Sequence, residues 1–174
     1  MKKLIIALLA CALILGGVNL ATANLREANA QAELLKEMQT LLPGSENFTE
    51  EPYDGEDANI QTVYKAENGF VISTRTAGYA GDIDMMVGVS NDGKVTGLVV
   101  RQLHETFGLG AEALTDWEFL VQFLNTSGEA AVGENVDALT GATVTSKAIT
   151  RSVNSAVAVV TGADASSSAT SWGG

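Results

Sequence analysis

The spacing of hydrophobic residues changes repeatedly along this chain, and each change marks an element. Leu4 to Ala23 is apolar with little interruption, behind Lys2 and Lys3. At about 1.5 Å of rise per residue, roughly 20 such residues cross a bilayer core. Leu34, Leu35, Met38, Leu41 and Leu42 then recur on one helical face, and Pro43-Gly44 ends that pattern. Ser45 to Ala58 is acidic and polar and predicts a solvated loop; Asp54, Glu56 and Asp57 do not have EF-hand spacing. Strand-like runs follow. Ile60 to Ala66 and Phe70 to Thr76 flank Glu67-Asn68-Gly69, a hairpin signal. Ile83 to Ser90 and Val95 to Leu103 flank a second turn, Asn91-Asp92-Gly93-Lys94. Thr115-Asp116-Trp117-Glu118 reads as a capping box, opening a helix that buries Trp117, Leu120, Val121 and Leu124. Ile149, Val153, Ala156, Val157 and Val160 then recur at helical spacing, with no Gly or Pro between Ser146 and Thr161. Ala163 to Gly174 is Ser, Ala, Thr and Gly-rich and predicts a flexible tail. The fold class expected is α+β, antiparallel hairpins packed with helices, preceded by one N-terminal transmembrane helix. The expected organisation is an anchor over 1–24, a juxtamembrane helix over 25–44, a folded domain over 45–162 and a tail over 163–174.

The N-terminal run admits three readings. The first is a retained anchor, favoured by the length of the run through Leu13, Ile14, Leu15, Val18 and Leu20. The second is a cleaved signal peptide ending at Ala21-Thr22-Ala23. The third is a lipoprotein signal ending at Cys11, after Leu8-Leu9-Ala10; it leaves an apolar mature start, which argues against it. With an anchor, Lys2 and Lys3 keep the N-terminus in the cytoplasm and place the domain outside the cytoplasmic membrane.

Charge and composition narrow the chemistry. The chain has 174 residues and a formal net charge of −11, with Lys and Arg scattered, so no basic stripe suits nucleic acid. One cysteine rules out an intrachain disulfide, and one histidine leaves little for a Cys/His metal site. No paired acid/base carboxylates, P-loop or G-x-G-x-x-G is present. A hydrolytic triad has only His104 to build on, and nothing near it reads as a nucleophile elbow.

The most specific stretch is Asp137-Ala138-Leu139-Thr140-Gly141-Ala142-Thr143-Val144-Thr145-Ser146. It leads into the last helix, where open N–H groups and the positive dipole end attract a phosphate. Gly141 permits close backbone approach, four hydroxyls surround it, and Lys147 adds a cation. The same residues also fit a Ser/Thr-rich helix cap that binds nothing. The order Asp, Thr, Gly, Ala, Thr, x, Thr resembles the flavinylation motif of the FMN-binding domain family. In that family a threonine hydroxyl is joined to the FMN phosphate by a phosphoester, and the matching acceptor is Thr145. A second stretch, His104-Glu105-Thr106-Phe107-Gly108-Leu109-Gly110, is similar to the family's E-T-P-G-L-G loop, with Phe107 replacing the proline. Tyr79 to Ile83, Met85 to Val89 and Leu41-Leu42-Pro43 also look like this family. The resemblance reaches from the anchor to about Val160. It is similar to the G subunits of Rnf-type ferredoxin:NAD oxidoreductases, related to the C subunit of sodium-translocating NADH:quinone oxidoreductase.

The resemblance implies an electron-relay subunit whose domain, 45–162, carries one covalent FMN outside the cytoplasmic membrane. Thr145 is the implied attachment site. Thr143, Ala142, Gly141, Thr140, Ser146, Glu105, Thr106, Gly108 and Leu109 are the implied flavin contacts. Asp137 is the implied recognition residue for a flavin transferase that uses FAD and a divalent metal. Other membrane and redox subunits are the implied partners. Catalysis by the chain's own side chains is not expected, since the redox chemistry belongs to the flavin. Two alternatives remain: a stand-alone, membrane-tethered flavoprotein for extracellular electron transfer, and an unflavinylated binding or adaptor module.

Overall fold

Alternating residues of β4, Asp82–Ser90, are buried on both sides of the sheet it belongs to, and that sets the architecture. The computed structural model describes residues 26–103 and 116–163. It divides into two units, one ending at Glu37 and the other beginning at Met38. Helix α1 covers residues 26–41 of the described chain, and side-chain burial in the second unit begins with Met38, Leu41 and Leu42. Leu35 is exposed. Among the described residues no helix is long and apolar enough to cross a membrane. The run Leu4 to Ala23 lies outside those residues.

The sheet is a meander of antiparallel strands in the order β1-β2-β3-β4-β5. They are β1 (Thr49–Glu51), β2 (Ile60–Ala66), β3 (Gly69–Ala77), β4 and β5 (Val95–Leu103). Two helices follow, α2 (Trp117–Val121) and α3 (Thr143–Thr161). The fold is therefore α+β, with the expected hairpins. In the first, Glu67 and Asn68 alone make the turn, and Gly69 already pairs with Ala66. The acidic stretch after Pro43 is not wholly loop. Thr49 to Glu51 pairs with Val63 to Lys65 as a short edge strand, a gain that comes from a neighbouring strand and not from local hydropathy.

Helix α3 lies against β3 and β4. Ile149, Val153, Ala156 and Val157 meet Ile72, Ile83, Met85, Val87 and Val89 in one core. The contact is partly polar: Thr76 and Ser152 share a hydrogen bond of 2.5 Å between buried hydroxyls. Small residues on α3 let the helix sit close to the sheet.

The other face of the sheet carries Val71 and Met86. It also carries a glycine pair, Gly88 facing Gly97 across β4 and β5. A Cβ at Gly88 would collide with the carbonyl of Leu41, and one at Gly97 would lie 3.0 Å from the Leu41 Cα. The backbone at the end of α1 rests on this bare patch. Thr96 Oγ1 donates to the same Leu41 carbonyl at 2.6 Å, satisfying an acceptor the helix leaves open.

Helix α2 differs from its expected register. Its cap is Asp116, whose side chain accepts from the Phe119 N–H at 2.9 Å. Thr115 lies outside the described residues. Trp117 is 69% exposed, and the buried residues are Phe119 and Phe123, their rings edge-to-face with centroids 5.3 Å apart. Two phenylalanines four apart outweigh one tryptophan at the first position of a single-turn helix, because both reach the core from the same face. Phe123→Ala should lower unfolding stability by about 3–5 kcal/mol, and Trp117→Ala by less than about 0.5 kcal/mol. Urea denaturation of the two variants checks this. A larger loss for Trp117→Ala than for Phe123→Ala would favour the register read from the sequence.

Candidate functional site

The motif from Asp137 to Ser146 forms a loop and the first turn of α3. The helix starts at Thr143, and its N-cap is Ala142, which has no side chain able to cap. No side-chain hydrogen bond caps this end. The Ala142 N–H bonds back to the Leu139 carbonyl at 3.0 Å, and the Ser146 N–H makes the first helical bond, to Ala142, at 2.9 Å. Between them the N–H groups of Thr143, Val144 and Thr145 belong to the uncompensated end of the helix. The Ser/Thr-cap alternative is thus not what the chain does: the hydroxyls are present, but none caps the helix.

The motif's side chains divide into two groups. Asp137, Ala138, Thr140, Gly141, Thr143 and Lys147 are exposed. Leu139, Ala142, Thr145 and Ser146 are buried, Thr145 to 1% exposure and Ser146 completely. Gly141 has φ of +73°, a conformation that a side chain would strain. Ser146 Oγ accepts from the Leu139 N–H and donates to the Ala142 carbonyl, each at 3.0 Å. Among the implied flavin contacts, Ser146 is therefore engaged within the loop. Thr143 stands at the open turn, and Thr140 is exposed on the loop before it. Glu105, Thr106, Gly108 and Leu109, with His104 and Phe107, lie outside the described residues.

Three side-chain amides hold the irregular segment that delivers the motif. None was singled out from the sequence, where an isolated Asn or Gln carries no signal. Asn154, on the buried side of α3, donates to the Ala130 carbonyl at 2.8 Å and accepts from its N–H at 3.3 Å. Asn135 accepts from Ala131 N–H at 2.7 Å and donates to the Glu129 carbonyl at 2.9 Å. Gln122, just after α2, accepts from Asp137 N–H at 2.7 Å and donates to its carbonyl at 3.4 Å. The Asp137 backbone is fixed while its carboxylate stays exposed.

Known proteins bear on this site in two ways. The model of the FMN-binding domain matches residues 78–158, a range that includes β4, β5, α2, the motif and most of α3. The G subunit of the Na(+)-translocating ferredoxin:NAD(+) oxidoreductase complex of Acetobacterium woodii is 37% identical over 102 residues, 52% of this chain and 48% of that protein. The proton-translocating counterpart from Clostridium ljungdahlii is 38% identical over 110 residues, 56% of this chain and 59% of that protein. The matches thus span about half the length of these two relatives. The G subunit of the ion-translocating oxidoreductase complex of Methanosarcina acetivorans is 31% identical over 148 residues, 79% of this chain and 78% of that protein. The chain belongs to the FMN-binding G-subunit family.

The donor set at the start of α3 suits the phosphate of the FMN that this family's domain is named for. Open N–H groups, a positive dipole end, the exposed Thr143 hydroxyl and the Lys147 cation meet at one turn. No acidic residue occupies that first turn to compete.

The amide clamps give a measurable ranking. Asn154 is buried, so Asn154→Ala strands both the N–H and the carbonyl of Ala130 and should cost about 2–3 kcal/mol in urea denaturation. Gln122 is only half-buried, and water can replace it, so Gln122→Ala should cost at most about 1 kcal/mol. The reverse order would show that the motif is held from α2 and not from α3.

Proposed function

We propose that the chain is an electron-relay subunit of a membrane-bound, Rnf-type ion-translocating ferredoxin:NAD oxidoreductase. It carries one FMN joined to Thr145 by a phosphoester, on the extracytoplasmic side. The observation that carries this reading is the uncapped first turn of α3, which coincides with the family's attachment motif in a member of the G-subunit family. When bound, FMN supplies electron transfer in steps of one or two electrons.

The chain's own residues have simpler tasks. The N–H groups of Thr143, Val144 and Thr145 face the phosphate, and Lys147 offsets its charge. Asp137 is presented to a flavin transferase, which uses FAD and a divalent metal. The covalent bond matters because a cofactor outside the cytoplasm is lost by dilution whenever it dissociates. With the phosphate fixed, the fold need only orient the ring, a role for Glu105, Thr106, Gly108 and Leu109 in the loop similar to E-T-P-G-L-G. The N-terminal run Leu4 to Ala23 serves as a retained anchor, with Lys2 and Lys3 on the cytoplasmic side. Other membrane and redox subunits are the partners in this assembly.

Intact mass and in-gel flavin fluorescence test the attachment. Thr145→Ala should fold and carry no covalent flavin, while Thr143→Ala should keep it. Retention of flavin through denaturation by Thr145→Ala would move the site to another hydroxyl. A wild-type protein that never acquires flavin in the presence of the transferase would point to the adaptor alternative.

The anchor is tested separately. The N-terminal sequence of the membrane-extracted protein should begin upstream of Leu4, and protease applied from the outer face should reach the domain. A mature start after Ala23 would make the chain a secreted flavoprotein, and a protected domain would reverse its orientation.

A further inference from the structure

Thr145 is the hydroxyl that the proposed function needs to react, and it is among the least exposed residues of the motif. It is 1% exposed, whereas Asp137, Thr140, Gly141 and Thr143 around it are exposed. A transferase can grip the exposed residues without disturbing the fold. It cannot bring a phosphorus atom to bonding distance of a hydroxyl that solvent hardly touches.

The first turn of α3 is also weakly made. It has no side-chain cap, no acidic residue to complement the dipole, and Lys147 beside its positive end. What closes it is Ser146. The Ser146 N–H bonds to the Ala142 carbonyl at 2.9 Å. Its hydroxyl donates to the same carbonyl and accepts from Leu139 N–H, each at 3.0 Å. Two of these three bonds depend on one oxygen atom.

We propose that the folded domain keeps its acceptor hydroxyl closed, with Ser146 as the latch, so that flavin is transferred to Thr145 from a locally open form in which the first turn of α3 is unwound. This inference rests on Thr145 being the attachment site. In the open form, Thr145 Oγ1 bonds to the FMN phosphorus of a flavin dinucleotide. The pyrophosphate P–O bond breaks, AMP leaves with its electron pair, and the hydroxyl proton passes to a base of the transferase. With a phosphate attached, Thr145 cannot return to its buried position; as the turn re-forms its side chain is turned outward, and the phosphate meets the open N–H groups and supplies the cap that the sequence omits. The modified turn is therefore held more firmly than the unmodified one. Ser146 is a positioning residue in this scheme and acts against modification.

The sign of one substitution tests the latch. Full-length protein made without the transferase is incubated with the purified enzyme, FAD and Mg²⁺, and mass gain is followed with time. Ser146→Ala should be modified about fivefold faster than wild type, the equilibrium-constant equivalent of roughly one net hydrogen bond. Amide exchange at position 146 should quicken by a similar factor, and in wild type it should slow after flavin is attached. A folded Ser146→Ala modified at or below the wild-type rate would overturn the latch. If that variant does not fold, wild-type modification is measured in sub-denaturing urea. It is normalised to the same motif, residues 135–148, appended to an unrelated carrier as a flexible tag. A ratio rising with urea supports opening, and a flat ratio overturns it. A Thr145→Ala variant that gains flavin as fast as wild type removes the attachment reading itself. Wild type modified only when Thr145 is present, with no acceleration in Ser146→Ala, removes the latch alone.

Discussion

The packing of α3 across β3 and β4 is the constraint from which the rest of the domain follows. The helix buries Ile149, Val153, Ala156 and Val157 against the strand residues of the meander, and a shared hydroxyl bond between Ser152 and Thr76 fixes where it sits. Because the body of α3 is held by this core, its first turn does not need to be well made. The helix can begin at Ala142 without a cap, leaving polar groups open at its N-terminus. Stability in the body of the helix tolerates incompleteness at its N-terminal end.

The opposite face of the sheet solves a different problem. A central strand buried on both sides needs cover there too, and Met38, Leu41 and Leu42 provide it. Gly88 and Gly97 remove the side chains that would hold the Leu41 backbone away, and Thr96 completes the contact by donating to the Leu41 carbonyl. Glycines in neighbouring strands would usually weaken a sheet. Here they are compensated by close approach of another backbone. The end of α1 is thereby tied to the same strand, β4, that α3 packs against from the other side.

A segment with little regular structure runs from Glu129 to Ala142. Its backbone groups have few ladder partners, and an amide side chain is a neutral group that can satisfy an N–H and a carbonyl together. Asn154, Asn135 and Gln122 each do so. Ser146 does the same for the loop around Leu139 and Ala142 with a single oxygen. The segment is thus held by side-chain hydrogen bonds together with the burial of Ala130, Val136, Leu139 and Ala142 in the core.

Periodicity in the sequence located the strands of both hairpins and the body of α3, because period 2 and period 3.6 follow directly from backbone geometry. The motif around Thr145 was legible for a different reason: its order of small and hydroxyl residues is long, and few other arrangements share it. The phase of α2 was not legible. Whether Trp117 or Phe123 faces the core depends on where the sheet lies, and a single turn has too few residues to show a face of its own. Edge strand β1 depended on a partner strand, and the roles of Gly88 and Gly97 on the end of a helix far back in the chain, at Leu41. Ser146 shows the division within one residue. Its place in the motif is written in the sequence, and its bond to the Ala142 carbonyl is one any helical serine can make four residues back, but its burial and the 3.0 Å bond it accepts from the Leu139 N–H depend on how the loop folds onto the helix.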